Sequence, residues 1–397
     1  MSSPRLILRS GRERSVLQRH PWIFSGALAR LEGEPTDGDV VEVLDAQGTW
    51  LARGTLNRRS QIVVRLLTWD ADERVDDAFW RTRIARAVAG RAALTGNPAT
   101  TAYRLVHAES DGLPGLVVDR YGDFLVLQFL TLGVERRRQE ILAALDELLA
   151  PRGIFERSDV DVRQKEGLSP QVGRLRGEEP PDRLAIVENG RRFWVDVRGG
   201  QKTGFYLDQR ENRARLTGFC AGAEVLDSFA GSGAFGVYAL SGEAARVTFV
   251  ESSAPALELA RQNVALNGHD PQAQEFLGEN VFVALRRFRA AGRSFDIIVS
   301  DPPKFAPAAR DVPRAARAYK DVNLLAFQLL RPGGVLFTTS CSGAVPADLF
   351  QKIVFGAAVD AGREAQIIGY LHQGADHPVA LAFPEGAYLK GLICRAL

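Results

Sequence analysis

From about Ala223 to its C-terminal end the chain repeats one pattern: a short β-branched or aromatic run, a turn, then a stretch with helical spacing. Alternation of this kind builds a doubly wound sheet with helices on its faces. Strands are expected at 225–227, 247–251, 274–276, 297–301, 335–340, 366–371 and 390–395. The expected fold class is therefore α/β, with a Rossmann-like sheet of seven strands. Ligands in such sheets sit outside the carboxyl ends of the strands, so the residues at those ends are the first candidates for a site.

At 397 residues the chain is too long for one ordinary core. Residues 1–70 alternate short β-like runs with turns and read as a small barrel, with strands near 40–44, 50–54 and 61–67. Residues 71–182 mix helix (77–94 and 135–149) and strand, and Tyr121-Gly122-Asp123 reads as a hairpin turn. This is a small central α+β domain. Residues 183–397 form the third part, led by a hairpin around Asn189-Gly190, the favoured type I′ pair.

Net charge is only +2, so a nucleic-acid role needs local basic patches. The first thirty residues supply one, with Arg5, Arg9, Arg12, Arg14, Arg19 and Arg30 against the lone acid Glu13. Arg310, Arg314, Arg317 and Lys320 form a second. The plainer readings are a solvated charged face and an arginine-rich genome. The three cysteines, Cys220, Cys341 and Cys394, have neither zinc nor disulfide-framework spacing. The histidines are scattered, so no metal cluster is expected. No signal peptide or membrane span is legible, and a cytoplasmic, thiol-reducing location is expected.

Asp227 ends the first repeat strand and leads into Ser-Phe229-Ala-Gly231-Ser-Gly233-Ala-Phe-Gly236. The glycines let backbone approach a ligand at a helix N-terminus. Dinucleotide enzymes use the same letters, and the spacing to Glu251 also suits NAD. Two features favour S-adenosylmethionine (SAM). Asp227 stands where a cationic methionine amino group needs a partner, and the sheet continues into Asp301-Pro302-Pro303-Lys304-Phe305 in place of a second mononucleotide half. Glu251 is suited to two ribose hydroxyls. Glu279 and Asn280 end the third strand, where they either touch adenine or simply start a helix.

The Asp-Pro-Pro-Lys-Phe run and Ser340-Cys341-Ser342 follow two expected parallel strands. Pro302 and Pro303 fix an extended turn, Asp301 can aim at a planar amide or amine, and Phe305 is suited to stack on a base. Lys304 is a candidate for a phosphate or for holding the loop. Cys341 narrows the chemistry. Cytosine C5 is a poor nucleophile until a thiolate adds at C6. Asp301 either donates a proton as a neutral acid or accepts from the exocyclic amine as a carboxylate. The plain alternative for Cys341 is a small buried filler; Cys220 and Cys394 read as structural.

With these residues in hand, the chain resembles the bacterial RlmI-type methyltransferases, which form 5-methylcytidine in large-subunit (23S) ribosomal RNA. The likeness runs nearly end to end. It includes Arg19-His-Pro-Trp-Ile-Phe-Ser-Gly26, Glu109-Ser-Asp-Gly-Leu-Pro-Gly115, Arg157-Ser-Asp159, Lys202-Thr-Gly-Phe-Tyr-Leu-Asp-Gln-Arg210, Asp301 to Phe305, Ser340-Cys-Ser-Gly343 and Pro384-Glu-Gly-Ala-Tyr-Leu-Lys-Gly391. The resemblance implies an N-terminal PUA domain for RNA contact, a small central domain and a SAM-dependent methyltransferase domain. It implies Cys341 as nucleophile and a cofactor border from Lys202 to Arg210, with Tyr206, Asp208, Gln209 and Arg210 as contacts. Many relatives have an acid where Asn280 stands. Better-known cytosine-5 RNA enzymes carry a second cysteine where Pro303-Lys304 stands, so the base that takes the C5 proton is not identified. The expected partner is 23S rRNA, naked or in an assembling subunit, with no membrane and with a homodimer left open. The rival functions are N-methylation of an rRNA base by the Asp-Pro-Pro-Lys-Phe loop alone, a noncatalytic RNA-binding assembly factor, and more distantly a dehydrogenase.

Overall fold

The computed structural model describes residues 4–397. It divides into two compact units, neither continuous along the chain. One holds the chain up to Leu184, together with Asp196–Phe205 and Asp376–Gly386. The other holds Ala185–Val195, Tyr206–Ala375 and Ala387–Leu397.

The first unit contains two sheets. One has six strands in the spatial order Trp22–Phe24, Ile62–Thr68, Trp50–Leu56, Val40–Leu44, Arg5–Leu8, Leu28–Glu32. Its inward residues, among them Leu6, Leu8, Val41, Val43, Leu56 and Val64, form one buried cluster. The other sheet has five strands, in the order Gln171–Gly177, Gly153–Ser158, Phe124–Phe129, Leu116–Tyr121, Ala102–His107. Helices Asp77–Ala89 and Arg138–Leu149 add Trp80, Ile84, Ile141 and Leu145 to the core against it. Arg65 joins elements of the unit by pairing with Glu109 at 3.0 Å and Glu166 at 2.9 Å.

The second unit is built on a sheet of seven strands. These are β1 (Glu224–Ser228), β2 (Arg246–Val250), β3 (Glu275–Leu277), β4 (Phe295–Ser300), β5 (Leu330–Ser340), β6 (Ala365–His372) and β7 (Lys390–Ala396). The spatial order is β3-β2-β1-β4-β5-β7-β6. The first five run parallel, and β7 is antiparallel to both β5 and β6. The helices are α1 (Ala234–Ser241), α2 (Ala254–Leu266), α3 (Val281–Ala290), α4 (Val312–Leu329) and α5 (Ala347–Asp360). Strands buried on both faces read as continuous apolar runs, as in Phe-Asp-Ile-Ile-Val-Ser of β4. Leu226, Ile298, Leu336, Phe288 and Tyr319 lie in the resulting core.

Ahead of this sheet, strands Leu184–Glu188 and Arg191–Val195 form the expected hairpin. Its turn puts Asn189 at φ 46° and Gly190 at φ 80°, the left-handed pair that a type I′ turn requires. The hairpin is fixed to α2 by Asn263, whose Oδ1 accepts from the Trp194 N–H at 2.7 Å.

Candidate active site

Strand register sets the floor of the site. Parallel pairing places Ser228, Ser300 and Thr338 level with one another. Asp301 and Cys341 therefore leave neighbouring strands at the same carboxyl edge. The Thr339 hydroxyl donates to Asp301 Oδ1, and Gln209 Nε2 donates to the same oxygen at 2.8 Å. Gln209 Oε1 accepts from Asn212 Nδ2 at 2.6 Å, which fixes the sense of the Gln209 amide. Two neutral donors, one from β5 and one from the Tyr206–Arg210 segment, therefore converge on Asp301 Oδ1.

Tyr319 on α4 ties the two loops together. Its hydroxyl accepts from Ser340 Oγ at 2.9 Å and lies 2.9 Å from Ser342 Oγ, which also accepts from the Ala306 N–H at 3.1 Å. The Tyr319 ring stands 4.9 Å from that of Phe305. Burial pushes the Tyr319 hydroxyl above its ordinary value, so it remains a neutral phenol. Cys341 is held half-buried between two pinned serines. Cys220 and Cys394 are buried, and burial pushes both thiols up to about 12. Pro302 is buried, Pro303 and Lys304 are exposed, and Phe305 is partly buried beside Phe229 and Phe282.

The glycine loop runs from β1 into α1. Phe229 adopts φ 63° and Gly231 φ 52°, and left-handed backbone is costly for a bulky side chain such as Phe229. A side chain at Gly231 would meet no atom within 4 Å, so that edge of the loop is open. Gly236 is the opposite case: a Cβ there would lie 2.0 Å from Phe249. The Gly236 N–H donates to Asp227 Oδ2 at 2.9 Å. The Gly231 N–H donates to Glu251 Oε2 at 3.0 Å, and Glu251 Oε1 accepts from the Ser253 N–H at 2.8 Å. Both acids therefore sit against the loop.

The electrostatics ask for a cation. Burial pushes Asp227 up to about 7; the Gly236 N–H opposes the rise, the Asp301 and Glu251 charges add to it, and Arg213 offsets part of it. Burial likewise raises the Tyr206 hydroxyl, with Asp301, Cys341, Asp208 and Glu251 adding to the rise. A SAM molecule carries an ammonium and a sulfonium, and its ribose offers two donors to a carboxylate. Its chemistry fits this acid-lined, open loop.

The segment from Tyr206 to Arg210 is anchored from below. Arg213 makes a buried two-pronged pair with Glu188, both hydrogen bonds at 2.8 Å, and donates to the Tyr206 carbonyl at 2.9 Å. Asp208 Oδ2 accepts from the Tyr388 hydroxyl at 2.6 Å, and Arg210 is buried and paired with Glu211 at 2.9 Å. Asn280 caps α3, its Oδ1 accepting from the Phe282 N–H at 3.0 Å. That is the helix-start role, and it leaves one oxygen lone pair for a further donor. Glu279 is ion-paired with Arg287.

The basic residues divide by unit. In the first, Arg5, Arg9, Arg12, Arg14 and Arg19 are all exposed on or beside the six-stranded sheet, and Arg30 pairs with Glu32. In the second, Arg317 is exposed, Arg314 lies 3.7 Å from Asp311, and Lys320 pairs with Asp360 at 2.7 Å. Lys320 is thus engaged between α4 and α5.

Sequence reasoning gave no role to Thr339, Tyr319 or Lys390. Lys390 Nζ donates to the Ser342 carbonyl at 2.7 Å. The signal that could have found it is the strand order: once the last strand is placed antiparallel beside β5, its first residue must lie next to the Cys341 loop.

Comparison with known proteins agrees with this geometry. A PUA-like domain model matches residues 6–69, and an S-adenosylmethionine-dependent methyltransferase model matches residues 132–392. Ribosomal RNA large subunit methyltransferase I of Klebsiella pneumoniae (strain 342) is 50% identical over 394 residues, covering 99% of this chain and 98% of that protein. The protein of the same name from Aeromonas salmonicida is 51% identical over 391 residues, covering 98% and 99%. Among solved structures, a SAM-dependent methyltransferase from Streptococcus mutans superposes with a TM-score of 0.85 at 22% identity, covering 98% of this chain and 99% of its own. At that identity the likeness speaks for the fold. Among the described residues, no helix is long and apolar enough to cross a membrane. With half its residues identical to relatives matched from end to end, and with the glycine loop, the acids and the thiol at one sheet edge, the chain belongs to the S-adenosylmethionine-dependent ribosomal RNA large subunit methyltransferase I family.

Proposed function

We propose that the chain methylates C5 of a cytidine in large-subunit (23S) ribosomal RNA through a transient bond between Cys341 Sγ and C6. The observation that carries this reading is the thiol held half-buried on the loop beside Asp301. When bound, SAM supplies an electrophilic methyl group. Asp227 holds the cofactor's ammonium, Glu251 its ribose hydroxyls, and Glu279 with Asn280 borders its adenine. Tyr206, Asp208, Gln209 and Arg210 line the same side.

The Cys341 thiolate gives its electron pair to C6, and the C5=C6 electrons move toward C5, which bonds the methyl carbon as the sulfonium–methyl bond breaks and leaves its electron pair on a neutral thioether sulfur. Loss of the C5 proton then returns electrons to C5=C6 and expels the thiolate, so the enzyme leaves the cycle unchanged. Asp301 orients the N3/N4 edge of the base from the mouth of β4. Phe305 bears on the base's face, and Pro302 and Pro303 keep the loop extended. A large-subunit RNA carrying 5-fluorocytidine has no C5 proton to lose, so it should accumulate as a covalent complex with the wild-type chain and not with Cys341→Ala. Absence of a gel-stable complex under turnover conditions would count against the adduct.

The RNA footprint includes Arg5, Arg9, Arg12, Arg14 and Arg19 on the barrel, with Arg314, Arg317 and Lys320 as a second group. With an rRNA substrate, naked or in an assembling subunit, the reaction is cytoplasmic. Removing one arginine from a phosphate should flatten the salt dependence of RNA affinity by roughly one unit in the log–log slope. Replacing Arg9, Arg12 and Arg14 by Gln together should lower that slope by about 3 if all three meet phosphates. An unchanged slope would remove them from the footprint.

A further inference from the structure

A cysteine attacks carbon as the thiolate, and one cation of the second unit reaches across the Cys341 loop. Strand β7 runs antiparallel to β5 with Lys390 opposite Ser340. From that position the Lys390 side chain spans to the Ser342 carbonyl, where Nζ donates at 2.7 Å. A backbone position opposite 340 and an acceptor at 342 bracket Cys341. The loop cannot readily swing away, because Tyr319 holds the hydroxyls of Ser340 and Ser342. Lys390 is half-buried, so its charge is only partly screened by water.

We propose that the Lys390 ammonium is the charge partner of Cys341, holding its sulfur as thiolate before the base binds and receiving it again when the adduct is expelled. The proposal rests on Cys341 being the nucleophile, and it makes Lys390 a positioning residue.

Of the groups that act on the thiol from neighbouring elements, the following do not supply a buried positive charge. Asp301 at the end of β4 carries no positive charge in either protonation state. Tyr319 from α4 and Tyr206 from the segment ahead of Asp208 are phenols that burial keeps neutral. Lys304, from the Asp-Pro-Pro loop, is exposed and acts on Lys390 by repulsion. Burial pulls Lys390 down to about 8, Cys341 draws it back up, and Lys304 pushes it further down. A lysine in that range is charged at pH 7 and loses its charge as pH rises through 8.

Alkylation by iodoacetamide, followed against pH on the full chain, tests this. The other two cysteines are buried and stay protonated, so the label reports Cys341, with Cys341→Ala as the blank. In the wild type the midpoint of reactivity should fall about one unit or more below the ordinary thiol value of about 8.5. Lys390→Met should raise that midpoint by about one unit, slowing labelling at pH 7 about tenfold. Lys390→Arg, which keeps the charge at every accessible pH, should restore it. A wild-type midpoint at or above the ordinary thiol value overturns the proposal, whether or not the Met variant folds. So does a folded Lys390→Met, still binding SAM, whose profile superimposes on the wild type. Full methyl transfer by Cys341→Ala would instead overturn the nucleophile assignment and leave the alkylation profile as it stands.

Discussion

Cys341→Ala is expected to lower methyl transfer to RNA by at least about 10⁴-fold, the scale on which removing an enzyme nucleophile acts. SAM affinity should stay within about twofold, because uniform binding survives when only a transition-state interaction is lost. The size of the effect follows from the chemistry of the ring: without addition at C6, C5 has no electron pair to offer. The separation of the two readouts follows from the site. The groups set against the glycine loop, Asp227 and Glu251, take hydrogen bonds from Gly236, Gly231 and Ser253, which lie outside the Cys341 loop. Isothermal titration with SAM alongside a methyl-transfer assay reads both quantities on one preparation. Undiminished transfer by the variant would shift the reaction to N-methylation by the Asp-Pro-Pro-Lys-Phe loop alone.

The second large effect concerns Asp227. Burial holds its carboxyl at about 7 in the folded chain, from an ordinary value of 3.8. An ammonium needs the ionised form, so SAM affinity should rise about tenfold per pH unit up to about 7. It should fall again once the cofactor's own α-amino group loses its proton near about 8. Asp227→Asn keeps the acceptor for the Gly236 N–H but removes the charge. It should weaken SAM by about 10- to 100-fold, the range of a hydrogen bond to a charged group, and abolish the rise below pH 7. Stability carries the opposite sign. Between 3.8 and about 7 the folded chain retains a proton that the unfolded chain releases, so the SAM-free chain loses stability as pH rises through that window. The Asn variant should lack that loss. Titration calorimetry from pH 5 to 8.5, paired with thermal melts, checks both; a wild-type affinity flat below pH 7 would remove Asp227 from the ammonium site.

Much of the second unit was legible in the sequence because its inner strands are buried on both faces and its turns are marked by Gly, Pro and Asn. The runs ending in Asp227, Asp301 and Ser340 fall within a residue or so of the observed strand ends. The Asn189-Gly190 turn was readable from two letters, since few other pairs tolerate left-handed backbone twice. The first unit was less legible. Arg5–Leu8 and Trp22–Phe24 are three or four residues long, too short for any period to show. Gly153–Ser158 spells Gly-Ile-Phe-Glu-Arg-Ser, and its Glu and Arg are buried by partners elsewhere in the chain. Propensity cannot foresee a buried arginine. The same reason hid Lys390, Thr339 and Tyr319. Their roles depend on which strand lies beside which, and the antiparallel return of β7 has no local signature. What the sequence exposed was the chemistry-bearing ends of strands; what it withheld was the cross-strand and cross-loop partners that hold those ends in place.

The atom that receives the methyl group decides between the covalent and the loop-only reaction. The direct measurement is transfer from isotope-labelled SAM to large-subunit rRNA lacking the modification, followed by nucleoside mass spectrometry. Label is expected in 5-methylcytidine and nowhere else. Label in a purine, or on an exocyclic nitrogen, would contradict it.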